Sequence, residues 1–406
     1  MPKTNIILAI PEPGRVELKE RPYPTIVPGF SLVKVEIAPV CIEHQVYRDH
    51  TMEWHSDADN QGHEGVGTIV ETRPGSTFAV GDRVVIYQGN SCQECFVCER
   101  GLSPSHCLSI PYEDIAGDQD PGRTLEALGG GQTIDAPGGL MAIQNDCGSD
   151  SGGFGFSQFR IAPNHMLQKI PEDLPFRYAA LANCSLGCTY TAFEECNIGV
   201  DDWVVVAGVG FIGFGAIINA KYRGANVIVL GRNPFRMAQA TKMGADHIVD
   251  PDDPDWLEQI HALTGRLRGA DLVVEASGYP YYQRRALDAV RRFGTMWMYG
   301  FLVDNYETFP MHFLDDIHNR SIRLSGSHDV YFNHREGVVR MLSNPRVQAM
   351  ADHMITHEYN MSQGVEAFEA ALSKQAGKIY LYPHENCPAP GLSPSLQELI
   401  DSGAAR

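Results

Sequence analysis

Residues 203–232 leave this chain little freedom in how it folds. Three valines, Val204, Val205 and Val206, run into Gly208-Val-Gly210-Phe-Ile-Gly213. A helical pattern of small residues follows (Gly215, Ala216, Ala220), and then a second apolar run, Val227 to Leu230. Strand, tight turn, helix and strand in that order make a βαβ unit. Gly208 permits the turn, Gly210 lets the backbone approach a pyrophosphate, and Gly213 lets helix and strand pack closely. The helix start offers unpaired N–H groups and a positive dipole end to phosphates. Glycine-rich turns are common, but here a strand precedes the glycines, a helix follows them, and a second strand comes about 20 residues on. That context points to dinucleotide binding.

Strand and helix keep alternating at 203–207, 211–223, 227–230, 234–243, 247–249, 255–264, 271–275, 281–293, 295–299 and 322–325, which predicts a doubly wound parallel sheet over residues 179–328. Residues 1–178 read differently. Runs at 4–20 and 31–38 are punctuated by Pro11, Pro13, Gly14, Pro22, Pro24, Pro28 and Gly29, and further turn-strand units follow at Gly62–Glu71 and Val80–Val85. This part is expected to be an irregular, mostly antiparallel barrel. Residues 178–195 read as helix. Residues 111–155 carry little periodicity and are expected to form a long loop or lid. A return segment, 329–406, contributes a helix at 362–372, a strand at 378–382 and a Pro/Ser-rich tail. The fold class is therefore α/β, an antiparallel barrel beside a Rossmann sheet.

A chain of 406 residues has the length of two or three domains, and 43% hydrophobic content is enough to core them. A net charge of −18 argues against nucleic acid as a partner. No apolar run reaches membrane-spanning length, and Pro11 interrupts the N-terminal apolar stretch before it could serve as a secretory signal, so a cytoplasmic location is expected. Four of the ten cysteines, Cys92, Cys95, Cys98 and Cys107, are spaced x2, x2 and x8 within a candidate lobe at 90–108. In a reducing compartment that spacing points to a metal held by a closed thiolate shell.

Together these pieces resemble the zinc-dependent medium-chain alcohol dehydrogenases. The matching stretches are Cys41 after a strand, Gly62-His63-Glu64, Val80-Gly81-Asp82-Arg83-Val84, the four-cysteine lobe, Cys184 with Tyr190-Thr191-Ala192, Gly208-x-Gly210-x-x-Gly213, Gly269–Gly278 and Ala376-Gly377-Lys378-Ile379. The resemblance implies a GroES-like catalytic domain built from both chain ends around the Rossmann domain. It also implies two zinc ions per chain: a structural one in the four-cysteine lobe, and a catalytic one on Cys41, His63 and Cys184 with a coordination position left open. Glu64 would lie beside that metal and Cys188 near the nicotinamide.

The chain departs from the family pattern after Cys41. The family commonly carries a hydroxyl two residues after this ligand, to pass on the substrate proton; here Glu43 and then His44 follow. Glu43 is a candidate proton acceptor, metal contact or partner for substrate hydroxyls, against a plain solvated glutamate. His44 is a second candidate relay, since its titration range suits proton transfer. Such a pocket favours a polyol, sugar-derived or otherwise polar alcohol. Tyr87, Trp54 and His55 are candidate pocket-lining residues, Tyr87 being equally readable as barrel core. After the second Rossmann strand, Gly231, Arg232 and Asn233 replace the acid that would hold a ribose diol, and Arg236 lies four residues on, which favours NADP over NAD. The expected reaction interconverts an alcohol and its aldehyde or ketone by hydride transfer. The alternative is a redox-neutral lyase or epimerase that oxidises its substrate transiently, with Glu43 as base. The resemblance further implies a homodimer or homotetramer, with the strand around Met296–Tyr299 as a candidate pairing edge.

Overall fold

The computed structural model describes residues 4–26, 28–49, 59, 61–88, 91–108, 155–300, 309–327 and 329–401, so Trp54, His55 and the 111–155 segment short of Gly155 lie outside the described residues. The N-terminal run makes a hairpin, β1 (Thr4–Glu12) with β2 (Arg15–Pro22). Next come β3 (Phe30–Val40), β4 (Gly65–Thr72), β5 (Arg83–Ile86), β6 (Phe159–Pro163) and β7 (Leu167–Lys169). The long β3 pairs antiparallel with both β4 and β6, and β5 joins β4 to β7. Alternate side chains of these strands (Val33, Val35, Ile69, Val84, Ile86) point inward and make one core.

The dinucleotide half follows as β8 (Trp203–Ala207), β9 (Asn226–Leu230), β10 (His247–Val249), β11 (Ala270–Glu275), β12 (Val290–Met298) and β13 (Arg323–Gly326). They form one parallel sheet in the order β10-β9-β8-β11-β12-β13. Helices Phe211–Arg223, Pro234–Lys242, Trp256–Thr264 and Pro280–Ala289 connect them. Both faces are covered, Val204, Val206 and Val229 packing on one side and Val205, Ile228 and Val273 on the other, so the valine runs need no alternation. The expected 281–293 helix ends four residues early. Val290 already belongs to β12, and Phe293 takes a left-handed conformation, φ 61°, just before Gly294.

The return segment supplies β14 (Ile355–Asn360), β15 (Lys378–Tyr382) and β16 (Gly391–Leu392). β15 pairs with the end of β3, Ile379 opposite Val40, and so brings Lys378 next to the residues that follow that strand. The helix Gly364–Leu372 crosses between β14 and β15, which makes that pair parallel inside an otherwise antiparallel sheet. One expectation fails: Met296–Tyr299 is not a pairing edge. β12 lies between β11 and β13, and β13 occupies the border of the sheet. No helix among the described residues is long and apolar enough to cross a membrane.

Candidate active site and metal centres

Cys41 follows directly on β3, and His63 stands at the turn before β4. The turn depends on Gly62, whose φ is +82° and where a Cβ would meet the Phe156 ring at 2.6 Å. Cys184 does not sit within a continuous 178–195 helix. That segment breaks into Phe176–Ala179 and Ser185–Glu195, and Cys184 is the N-cap of the second piece, with φ −107° and ψ −111°. The break turns its thiol toward Cys41, the two Sγ atoms being 3.7 Å apart. Donor atoms of Cys41, His63, Glu64 and Cys184 all lie within 4.8 Å of one another.

Glu43 is not a solvated residue and does not face an open pocket. It is fully buried: Oε1 contacts His63 Nδ1 at 2.7 Å and accepts from the His63 amide at 3.2 Å, while Oε2 accepts from the Cys41 amide at 2.9 Å. Its carboxylate therefore binds the backbone of one candidate ligand and the ring of another. Burial alone would lower the His63 ring, but the Glu43 carboxylate overrides it and holds the ring well above its ordinary range. Asn183 adds a third tie, its amide donating to the His63 carbonyl at 2.9 Å and its oxygen accepting from Gln88 N at 3.1 Å.

Glu64 lies on the other side of the cluster. Its Oε1 is paired with Lys378 Nζ and stands 3.7 Å from His63 Nε2, while its buried Oε2 has no hydrogen-bond partner among the described residues. Glu64 and Lys378 are both fully buried. Burial opposes the Lys378 charge, but Glu64 more than offsets it and the ammonium is held above its ordinary range. The Cys41 thiol is raised by its contact with Cys184 and by burial. Two half-buried thiols, an imidazole fixed through its other nitrogen and a carboxylate oxygen left without a donor form a set that zinc satisfies.

The lobe cysteines form a second cluster. Cys95 Sγ lies 3.4 Å from Cys98 Sγ and 4.0 Å from Cys107 Sγ, and Cys92 Sγ lies 3.9 Å from Cys98 Sγ. Amides of Cys92, Cys95 and Leu108 point at these sulfurs. Against the upward push of burial, N–H donors hold Cys95 down at about 6, which favours the thiolate a metal requires.

The glycine turn faces the first cluster. Gly208 has φ +92°, and Phe211, the first residue of its helix, lies 5.1 Å below Lys378 Nζ and 6.2 Å from the His44 ring. His44 is half-buried, with Nδ1 against the Cys41 carbonyl, so that nitrogen carries the proton and Nε2 keeps its lone pair. Burial lowers its titration, which keeps the ring neutral near pH 7. Cys188 is buried, with Sγ 3.4 Å from the Asn183 carbonyl. Tyr87 is buried as well, its ring under the Arg335 guanidinium at 4.3 Å and its hydroxyl without a partner among the described residues.

At the end of β9, Arg232 is exposed and ion-paired with Asp252, which also receives the Tyr281 hydroxyl. At Gly231 a Cβ would meet the flexible Met237 tip at 2.6 Å, so glycine lets that side chain pack close to the turn after β9. Asn233 is engaged as the N-cap of the next helix, accepting from Arg236 N at 3.0 Å. The Arg236 guanidinium is half-buried, and its Nε has no partner among the described residues. Sequence reasoning missed Asn183 and the pairing role of Lys378. The signal for the second was the Ala376-Gly377-Lys378-Ile379 stretch at the start of β15, which resembles the family but names no partner, and that partner is 314 residues away.

Residues 28–172 match the family model described as alcohol dehydrogenase GroES-like domain, and residues 212–344 the one described as zinc-binding dehydrogenase. A sorbitol dehydrogenase of Halalkalibacterium halodurans is 29% identical over 91% of this chain and 96% of its own. An erythritol/L-threitol dehydrogenase of Mycolicibacterium smegmatis is 27% identical over 91% and 95%. Among solved structures, the alcohol dehydrogenase TADH from Thermus sp. ATN1 superposes with a TM-score of 0.75 over 93% of this chain and 99% of its own, at 23% identity. With both family models matched in order, and two groups of cysteine, histidine and glutamate side chains able to hold a metal ion, the chain belongs to the zinc-dependent medium-chain alcohol dehydrogenases and is an oxidoreductase.

Proposed function

We propose that this enzyme oxidises a polyol or similarly polar alcohol to its carbonyl form, and catalyses the reverse, with NADP as coenzyme. The observation that carries the reading is the Cys41, His63, Glu64 and Cys184 cluster set opposite the glycine turn, with Lys378 and His44 reaching from one to the other. The names of the sorbitol and erythritol/L-threitol relatives support a polyhydroxylated substrate. When bound, zinc supplies Lewis-acid polarisation of the substrate oxygen and the nicotinamide supplies a hydride acceptor.

The chain's own residues do the rest. Cys41, His63 and Cys184 hold the metal, and Glu64 stands by as a further oxygen donor. Glu43 fixes the His63 tautomer by accepting a hydrogen bond from Nδ1–H, which leaves the Nε2 lone pair for the metal. Because Glu43 is committed there, the proton role passes to His44, whose free Nε2 accepts the proton that the alcohol loses. Glu43→Gln is expected to weaken zinc at this centre about 10–100-fold, as loss of a carboxylate behind a ligating histidine commonly does. Competition titration with a chromogenic chelator checks it, and unchanged affinity would remove Glu43 from the metal's support.

For the coenzyme, Arg232 must leave Asp252 to meet a 2′-phosphate. An exposed pair of this kind is screened by water and weak, so the exchange is cheap. Arg232→Ala is expected to raise the KM for NADP by about tenfold or more while NAD changes little. Equal effects on both coenzymes would reject the 2′-phosphate reading. The deciding experiment for the whole proposal is a panel of polyols, simple alcohols and aldehydes with both coenzymes, followed by absorbance of the reduced nicotinamide. Product formed with no net change in coenzyme would favour the redox-neutral alternative.

A further inference from the structure

β8 and β11 are the strands between which the sheet order reverses, and a dinucleotide crosses the crevice at their carboxyl ends. Glu275 is the last residue of β11, paired with Ala207 at the end of β8, and it is fully buried. Its Oε1 accepts from Ser277 N at 2.8 Å, Ser277 Oγ at 2.5 Å and Gly278 N at 3.0 Å, and Gly278 N also lies 3.3 Å from Oε2. All of these partners are donors, which suits the acceptor-only, ionised carboxylate. The Ser277 Cβ that this arrangement fixes would stand 2.8 Å from a Cβ on Gly208, so the turn rests directly on the first glycine of the phosphate loop.

The Glu275 backbone faces the other way. Its carbonyl accepts from Tyr299 N at 2.8 Å and Gly300 N at 3.0 Å, and a Cβ on Gly300 would lie 2.7 Å from Glu275 Oε2. The Tyr299 hydroxyl in turn donates to the Cys188 carbonyl at 2.6 Å, in the helix that Cys184 caps. The adenine end of the coenzyme belongs at β9, beside Arg232, and hydride transfer needs the nicotinamide beside the metal cluster. On the coenzyme reading above, the nicotinamide end would extend toward the Tyr299–Cys188 contact, past the ends of β11 and β12 where this carboxylate is buried.

We propose that Glu275 is a positioning residue with an electrostatic output: it shapes the crevice floor through Ser277 and Gly278, and its buried negative charge favours the cationic oxidised nicotinamide over the neutral reduced one. Burial is what gives the charge reach, since little water intervenes to screen it. The inference rests on the coenzyme reading above and deepens it. It names a residue that biases which redox form the crevice retains.

The test is equilibrium binding, measured by calorimetry on the zinc-loaded full chain with NADP+, NADPH and 2′-phospho-ADP-ribose, which lacks the nicotinamide. Glu275→Gln keeps the side-chain shape and an acceptor oxygen but removes the charge. It is expected to weaken NADP+ on the order of tenfold while the other two ligands move by about twofold or less. Glu275→Asp, which keeps the charge, is expected to retain the oxidised-to-reduced ratio even if all three ligands bind somewhat less tightly, and it serves if the glutamine variant does not fold. Equal weakening of all three ligands in Glu275→Gln would mean a purely structural floor and would overturn the inference, as would a lost ratio in Glu275→Asp. Failure of the unsubstituted protein to bind either redox form would overturn the coenzyme reading as well, whereas tight binding with an unchanged ratio overturns this inference alone.

Discussion

Cys184→Ala is expected to abolish turnover, by about a thousandfold or more, and to remove about half of the bound zinc while the fold survives. The thiol has no helical role that alanine would spoil. It caps the helix Ser185–Glu195 without a side-chain hydrogen bond, and its neighbours are the Cys41 thiol and the buried carboxylate of Glu64. The four-cysteine lobe is a separate cluster on a separate segment, so its metal should remain. Elemental analysis of the purified variant together with a steady-state assay checks both halves. Full zinc content with full activity would reject Cys184 as a ligand, and loss of all zinc would mean that the two centres are not independent.

Lys378→Met should cost about 3–5 kcal/mol of stability, the usual consequence of removing one partner from a buried ion pair. Glu64 and Lys378 are both fully buried, and Lys378 is the cation paired with that carboxylate. Methionine fills most of the volume but leaves Glu64 uncompensated. The double variant Glu64→Gln with Lys378→Met should regain much of the loss, because it removes the stranded charge along with its partner. Denaturant unfolding of the single and double variants on the metal-free protein measures the coupling. Additive losses in the double variant would show that the pair is not a unit. Coenzyme binding by the stable double variant then asks whether the cation over Phe211 also serves the phosphate turn.

Which parts of this were legible beforehand follows from how far apart the partners are along the chain. The glycine turn, the valine strands and the four-cysteine lobe are local patterns, and each reads correctly because its residues make their contacts within a few turns of sequence. The helix across 178–195 was misread because its propensity is continuous while its hydrogen bonding is not. At the break, Asn183 reaches back to the His63 carbonyl and to the amide of Gln88, two residues past β5, instead of continuing the helix. Residues 322–325 read as a strand, but short-range pattern does not give a strand's place in a sheet, and only the pairing of β13 with β12 takes the border away from Met296–Met298.

Glu43 makes the same point most sharply. The sequence placed an acid two residues beyond Cys41 and could not say which way it turned. Only the approach of His63, twenty residues later in the chain, gave its carboxylate an imidazole and a second amide beside the local one of Cys41, and so turned the candidate proton acceptor toward support of His63. By itself the sequence determined the two architectures, the ligand types and the dinucleotide turn, since these are written in short-range spacing. The tertiary structure alone decided which carboxylate serves the histidine, which serves the lysine and which lies under the crevice. A buried charge takes its role from whatever partner the fold brings within hydrogen-bond reach, and for these three residues that partner lies 20, 314 and 2 positions away.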